Sequence, residues 1–155
     1  MTTVVRTRGL SFEDFEVGRE FVHHWGRTFT LAESIAYSTR MMHHNPMYFD
    51  EPYARRLGYR TIPINQFLVY STVLGLSVED LSEAGGPFLG IEDLVYGAVT
   101  YAGDTVRARS EVLTTKVTRS RPGWGVVEWR TTGYNQRDEV VVEYRRTNLS
   151  KMRAA

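Results

Sequence analysis

The chain of 155 residues is 42% hydrophobic and 24% charged, a balance that suits one globular domain with its own core and excludes wholesale disorder. Its 19 Lys and Arg against 18 Asp and Glu leave a formal net charge of +1, so no broad field draws it to nucleic acid or to an anionic membrane. Cysteine is absent, which rules out disulfides and thiolate metal centres and fits a reducing compartment. The start, MTTVVRTRGLSFEDF, lacks the apolar core of a secretion signal, and no apolar run approaches the roughly 20 residues that a bilayer-spanning helix needs. The expectation is a soluble, cytoplasmic protein with no membrane or nucleic-acid partner.

In chain order, REFVHHWGRTFT, 19 to 30, reads as one or two strands. His23 and His24 are neighbours there and face opposite sides of a sheet, so one is expected exposed and the other partly buried, without a catalytic role. Thr30 and Glu33 form the signature of a capping box and open a helix over about 31 to 42, with Leu31, Ile35 and Met42 on one face. Next comes the polar stretch MMHHNPMYFDEPYA, 41 to 54, in which Asn45 is held out of helical geometry by Pro46. Asp50 is placed as the N-cap of a second, two-turn helix, with Pro52 in its first turn and Gly58 at its C-terminal cap.

Residues 64 to 81, INQFLVYSTVLGLSVEDL, are apolar on almost every side, which predicts one central helix buried by other elements. After Gly85, Gly86 and Pro87 the period changes to alternation. A strand is expected over 88 to 99, and Val106, Ala108, Ser110 and Val112 mark the inward face of the next. Turns at SRPG, 120 to 123, and NQRD, 135 to 138, separate two more strands, 125 to 134 and 139 to 149. The fold class is therefore α+β, a single domain in which a long twisted antiparallel sheet curls around the central helix. Such a sheet leaves an edge strand for which pairing with a second copy is one remedy, so a homodimer or higher homo-oligomer is expected.

The chemistry concentrates in the loop after the first helix. His43 and His44 suit the C-terminal end of that helix, where positive charge meets the dipole. A metal site from His43, His44 and Asp50 is disfavoured, because adjacent histidines seldom converge and no three-ligand spacing is present. No metal or cofactor is expected. Tyr48 reads either as an aromatic packed under the loop or as a group with a direct role.

Taken together, FEDFEVGREF, HHNPMYFDEPYA, INQFLVYSTVLGLSV, YAGDTVRARSEV and the closing strands from SRPGWGVVEWR onward resemble the MaoC-like hydratases and dehydratases, the R-specific enoyl-CoA hydratase branch of the hotdog superfamily. The likeness spans nearly the whole chain and is greatest to the subgroup acting on mesaconyl-, itaconyl- or related branched dicarboxylic thioesters. It implies a hotdog dimer that takes an acyl-CoA or acyl-carrier-protein thioester, with the acyl chain beside the central helix. The family loop reads roughly D-x-N-P-x-H-x-D, its first Asp and its His being the catalytic pair. Asn45, Pro46 and Asp50 match this pattern, whereas His43 stands at the Asp position and Tyr48 at the His position.

Both replacements transfer protons: a histidine with an ordinary pKa of about 6.5 serves as base, and a tyrosine near 10 as acid or donor. The resemblance also implies an oxyanion donor at the start of the central helix, here the backbone N–H of Gln66, with Asn65 beside it. The expected site is thus His43 and Tyr48 as the acid/base pair, with Asn45, Asp50, Asn65 and Gln66 on the substrate-binding side. The arginines of 119 to 121 and 144 to 146 read as solvated strand faces that would also suit CoA phosphates. The expected reaction is reversible hydration of an α,β-unsaturated acyl thioester. The alternatives are a thioester- or apolar-ligand-binding dimer without that chemistry, or a cyclase, isomerase or thioesterase of specialised metabolism.

Overall fold

A computed structural model describes residues 9 to 153. Five antiparallel strands, β1 (Glu20–Thr28), β2 (Phe88–Tyr96), β3 (Thr105–Val117), β4 (Trp124–Tyr134) and β5 (Val140–Lys151), form one sheet in the order β1-β3-β4-β5-β2. Helices α1 (Leu31–Arg40) and α2 (Glu51–Arg56) follow β1, and α3 (Gln66–Leu76) and α4 (Val78–Leu81) precede β2. The sheet bends through register shifts in every strand pairing, between Val22 and Gly26, Glu92 and Val95, Val112 and Thr114, and Gly133 and Tyr134 among others. This α+β architecture is the expected one, with α3 lying on the inner face.

The alternation on β3 does what its period requires. Val106, Ala108 and Val112 are wholly buried and Ser110 nearly so. Opposite them α3 presents Val69 and Val73, which pack with Phe29, Ile64, Val141, Val142 and Tyr144 into one core cluster. Each valine so buried contributes about 1.5–3 kcal/mol. The helix comes close because β4 has a glycine beneath it: a Cβ on Gly133 would lie 2.5 Å from the Val73 Cγ2. A second cluster, built from Phe15, Phe21, Leu81, Val112, Val127 and Trp129, fills the other end of the sheet.

Three expectations need correction. The apolar run 64 to 81 is two helices rather than one, with the break at Ser77. Its N–H bonds back to Leu74 O at 3.1 Å and its hydroxyl donates to the same carbonyl at 2.7 Å, a side-chain competition that tightens and ends the helix. His23 is not partly buried but 2% exposed, while His24 lies in solvent. The arginines near 145 are not a solvated face. Arg146 points inward at 2% exposure, and Arg145 is held by Glu92, Asp93 and Glu128.

Candidate active site

The loop between α1 and α2 is shaped by its own backbone before any ligand is considered. Met42 adopts a left-handed φ of 57°, which turns the chain so that the His43 N–H bonds to Ser38 O at 2.8 Å. The His43 ring thereby lands on α3, 4.9 Å from the Phe67 ring and 6.0 Å from Tyr37, half-buried. Asn45 caps the short 3-10 turn Pro46–Tyr48, its Oδ1 accepting from Met47 N at 3.2 Å. That turn drives the Tyr48 ring inward to 6% exposure. Asp50 then caps α2, accepting from Tyr53 N at 3.0 Å, and Gly58 closes that helix with a φ of 94°.

The first turn of α3 is organised by Asn65, a fully buried side chain whose groups are all engaged. Its Oδ1 accepts from Phe67 N at 2.9 Å, its Nδ2 donates to Ser38 Oγ at 2.8 Å, and its backbone N–H reaches Ser34 Oγ at 2.9 Å. The same Nδ2 lies 3.5 Å from His43 Nδ1, which fixes the edge of the imidazole that faces α3. The Gln66 N–H points to the Tyr48 hydroxyl. Two residues expected to work together, Tyr48 and Gln66, therefore meet at a helix N-terminus, where free donors and the dipole favour negative charge.

Tyr48 and Gln66 line a small cavity of about 70 Å³, whereas His43 and Asn65 are not among its lining residues. Tyr48, Gln66, Val69, Tyr96, Thr100 and Val141 are among its walls, so it lies between the first turn of α3, the Pro46–Tyr48 turn and the end of β2. Burial pushes the Tyr48 phenol up from its usual value, and the Gln66 N–H opposes only part of that rise. Tyr96 is pushed up to about 12 by burial and by the neighbouring phenols of Tyr48, Tyr70 and Tyr37. Both phenols stay protonated at neutral pH, and both residues line the cavity.

His43, Asn65 and Gln66 are thus gathered at one helix end with Tyr48. Asn45 and Asp50 spend their side-chain oxygens on caps and, like His43 and Asn65, are not among the residues lining the cavity. Asn65 touches the site through what it orients, Phe67 N and His43. Tyr96 went unrecognised in the sequence, because it is the last residue of an ordinary strand and nothing local marks it. Among the described residues no group of three or more His, Asp or Glu could hold a metal ion. No helix there is long and apolar enough to cross a membrane.

The profile of the mesaconyl-CoA hydratase family matches residues 2–155. A mesaconyl-CoA hydratase of Haloarcula marismortui is 36% identical over 145 residues, covering 93% of this chain and 40% of that protein. A MaoC domain protein from Chloroflexus aurantiacus has a solved structure that superimposes with a TM-score of 0.86 at 33% identity, over 97% of this chain and 43% of that one. A Mycobacterium tuberculosis protein described as a double hotdog fold superimposes at 0.77 with 21% identity, over 96% of this chain and 46% of that one, and supports the fold alone. The chain thus spans about two fifths of the length of the curated relative. On the match across its whole described length, the chain belongs to the mesaconyl-CoA hydratase family.

Proposed function

We propose that this chain adds water reversibly across the α,β double bond of an acyl-CoA thioester, of the mesaconyl type named for its relative. The observation that carries the reading is that Tyr48 and Gln66, the first residue of α3, line one and the same cavity. Tyr48 and the helix terminus together are suited to hold the thioester oxygen as charge develops on it. His43, whose Nδ1 lies 3.5 Å from Asn65 Nδ2, is the base for the attacking water. The hydroxide of that water bonds to Cβ, its proton leaves on His43, and a proton is returned at Cα as the enolate collapses.

The reading extends to assembly and compartment. β2 is an edge strand of the sheet, and Phe88, Leu89 and Val95 on it are each more than half exposed. Pairing with a second copy would cover them, so the active form is a homodimer or a larger homo-oligomer. A CoA or carrier-bound thioester substrate places the work in the cytoplasm.

The test is loss of the enoyl-thioester absorbance of mesaconyl-CoA and crotonyl-CoA with the wild type, His43→Ala and Tyr48→Phe. Each variant is expected to lose about 10²–10⁴-fold in kcat, the usual weight of one acid/base group. A wild type that binds the thioester and hydrates neither substrate overturns the reading in favour of a binding protein.

A further inference from the structure

The cavity beside the first turn of α3 is short. At about 70 Å³ it holds on the order of five water-sized spheres, room for the few atoms of a small acyl group and for no long alkyl chain. The helix itself runs on from Gln66 to Leu76, and the strip it shares with β2 and β5 stays apolar. Tyr70 and Leu74 on the helix, Ile91 and Leu94 on β2 and Tyr144 on β5 all belong to one core cluster or pack against it. None of them lines the cavity. The apolar strip therefore continues past the point at which the open space ends.

Tyr96 stands at that boundary. It is part of the cavity wall, and its phenolic neighbours are Tyr48, which lines the cavity too, and Tyr70, one turn further along α3, which does not. The Tyr96 hydroxyl is inaccessible to solvent and hydrogen-bonds to nothing in the protein. Sealed from the open space, that oxygen is no contact for a ligand, and the ring is the part of the side chain left to close the cavity off. Beyond it, the Tyr70 ring stands edge-on to Tyr144 at 5.2 Å.

The ring is held there by the strand that carries it. The pairing of β2 with β5 slips between Glu92 and Val95, with Asp93 in a left-handed φ of 51°. After this bulge Val95 is 63% exposed, and Tyr96 follows opposite Val142, packed against the core cluster. A Cβ on Gly97 would lie 2.2 Å from Val140 O, so the end of the strand sits tight against β5. A side chain so fixed does not swing aside to admit a longer ligand. It is also a partition that one substitution removes, because the backbone takes no part in it.

We propose that Tyr96 sets the length of the acyl group that this chain accepts: its ring is the floor of the cavity, leaving room for about four or five carbons and excluding straight enoyl thioesters of about eight. The proposal rests on the thioester-hydratase reading and adds to it a size limit that the reaction does not impose. Tyr96 takes no part in the proton transfers, so truncating it acts on the choice of chain length and spares the chemistry common to all lengths. In an apolar pocket each methylene that gains or loses its room shifts kcat/KM about 10- to 200-fold.

The test compares crotonyl-CoA with trans-2-octenoyl-CoA in the wild type, Tyr96→Ala and Tyr96→Phe. In the wild type kcat/KM is expected to be more than about 100-fold lower on the longer substrate. Tyr96→Ala removes the ring and should bring the two within about 10-fold, chiefly by raising the value for octenoyl-CoA. Tyr96→Phe keeps the ring and drops only the unbonded oxygen, so the wild-type ratio should hold within about 3-fold. A wild type that takes both lengths alike, an unchanged ratio in Tyr96→Ala, or a Tyr96→Phe that relaxes the ratio as far as Tyr96→Ala overturns the proposal. Should Tyr96→Ala fail to fold, Tyr96→Leu is the milder truncation, expected to give an intermediate ratio, and an unchanged one overturns the proposal equally. Where the wild type turns over neither length, the hydratase reading stands or falls on mesaconyl-CoA alone, and calorimetry with butyryl-CoA and octanoyl-CoA decides about Tyr96. A wild-type preference for butyryl-CoA that Tyr96→Ala removes supports the floor, and the absence of such a preference overturns it.

Discussion

At the C-terminal end of α3 the inner face of the sheet carries a guanidinium, an imidazole and several hydroxyls, almost all bonded to one another. Arg146 reaches Asn148 at 2.8 Å, Ser77 at 2.9 Å and Ser82 at 2.5 Å. His23 bridges Asp80 at 2.5 Å and Ser110 at 2.9 Å, and Ser110 continues to Thr131 at 2.8 Å. At the N-terminal end the cavity walls are largely apolar, with Tyr48 and Tyr96 among them and the Tyr96 hydroxyl unpartnered. One end draws most of its polar groups into a network that ties β1, β3, β4 and β5 to the helices, with Tyr144 OH and Trp129 Nε1 left unpartnered beside it; the other end has no such network. The difference separates architecture from site: a bonded network holds the fold, and an apolar cavity takes a ligand.

Breaking the closed end is the most direct way to challenge this contrast. Arg146→Leu removes three hydrogen bonds at once and should destabilise the protein by on the order of 3 kcal/mol. Denaturant unfolding measures that loss. Asn65→Ala works at the open end and is expected to cost about 1–2 kcal/mol, since it removes the cap of α3 and leaves Ser38 without its donor. Unlike Arg146→Leu, it should also depress hydration directly, because the His43 ring loses the amide that orients it. If both variants proved equally harmless to activity at matched stability, the division into frame and site would be wrong.

The smallest expected effect is a pH dependence at the closed end. Burial holds the His23 pKa below the ordinary 6.5, outweighing the pull of Asp80 in the other direction. The unfolded chain therefore takes up a proton at a higher pH than the folded one. His23 contributes its full stability above about pH 6.5, and that contribution is lost as the pH falls through this value toward the depressed folded-state pKa. The other charged groups facing it, Arg146 and His24, push the same way as burial. Melting temperatures measured between pH 7.5 and pH 5 should drop, and His23→Gln should flatten the slope. An unchanged slope in that variant would assign the dependence to other groups.

Much of the frame was legible in advance. The caps at Thr30, Asp50 and Gly58 sit where their residue types require, because capping is a local bargain between a side chain and the nearest backbone donors. The inward row of β3 follows from a two-residue period and needs no partner to be named. The loop 41 to 50 was recognisable as a place of interest, and Tyr48 from it and Gln66, 18 positions on, line the same cavity. What could not be read locally was direction. Whether Ser77 ends a helix depends on a hydroxyl bond to Leu74 and a guanidinium from β5. Whether an arginine in a YRR run meets water or the core depends on the strand's register in the sheet.

By itself the sequence determined the α+β class, the order of elements and the loop that bears His43 and Tyr48, since those follow from short-range periods, caps and turns. Only the tertiary structure decided which side chains share a cavity. Tyr96 reaches the cavity wall after a bulge in β2, and Arg146 is buried at the opposite end of α3 through its register on β5. A one-residue slip in a strand exchanges its two faces, so such placements are set by long-range pairing that no short stretch of sequence contains.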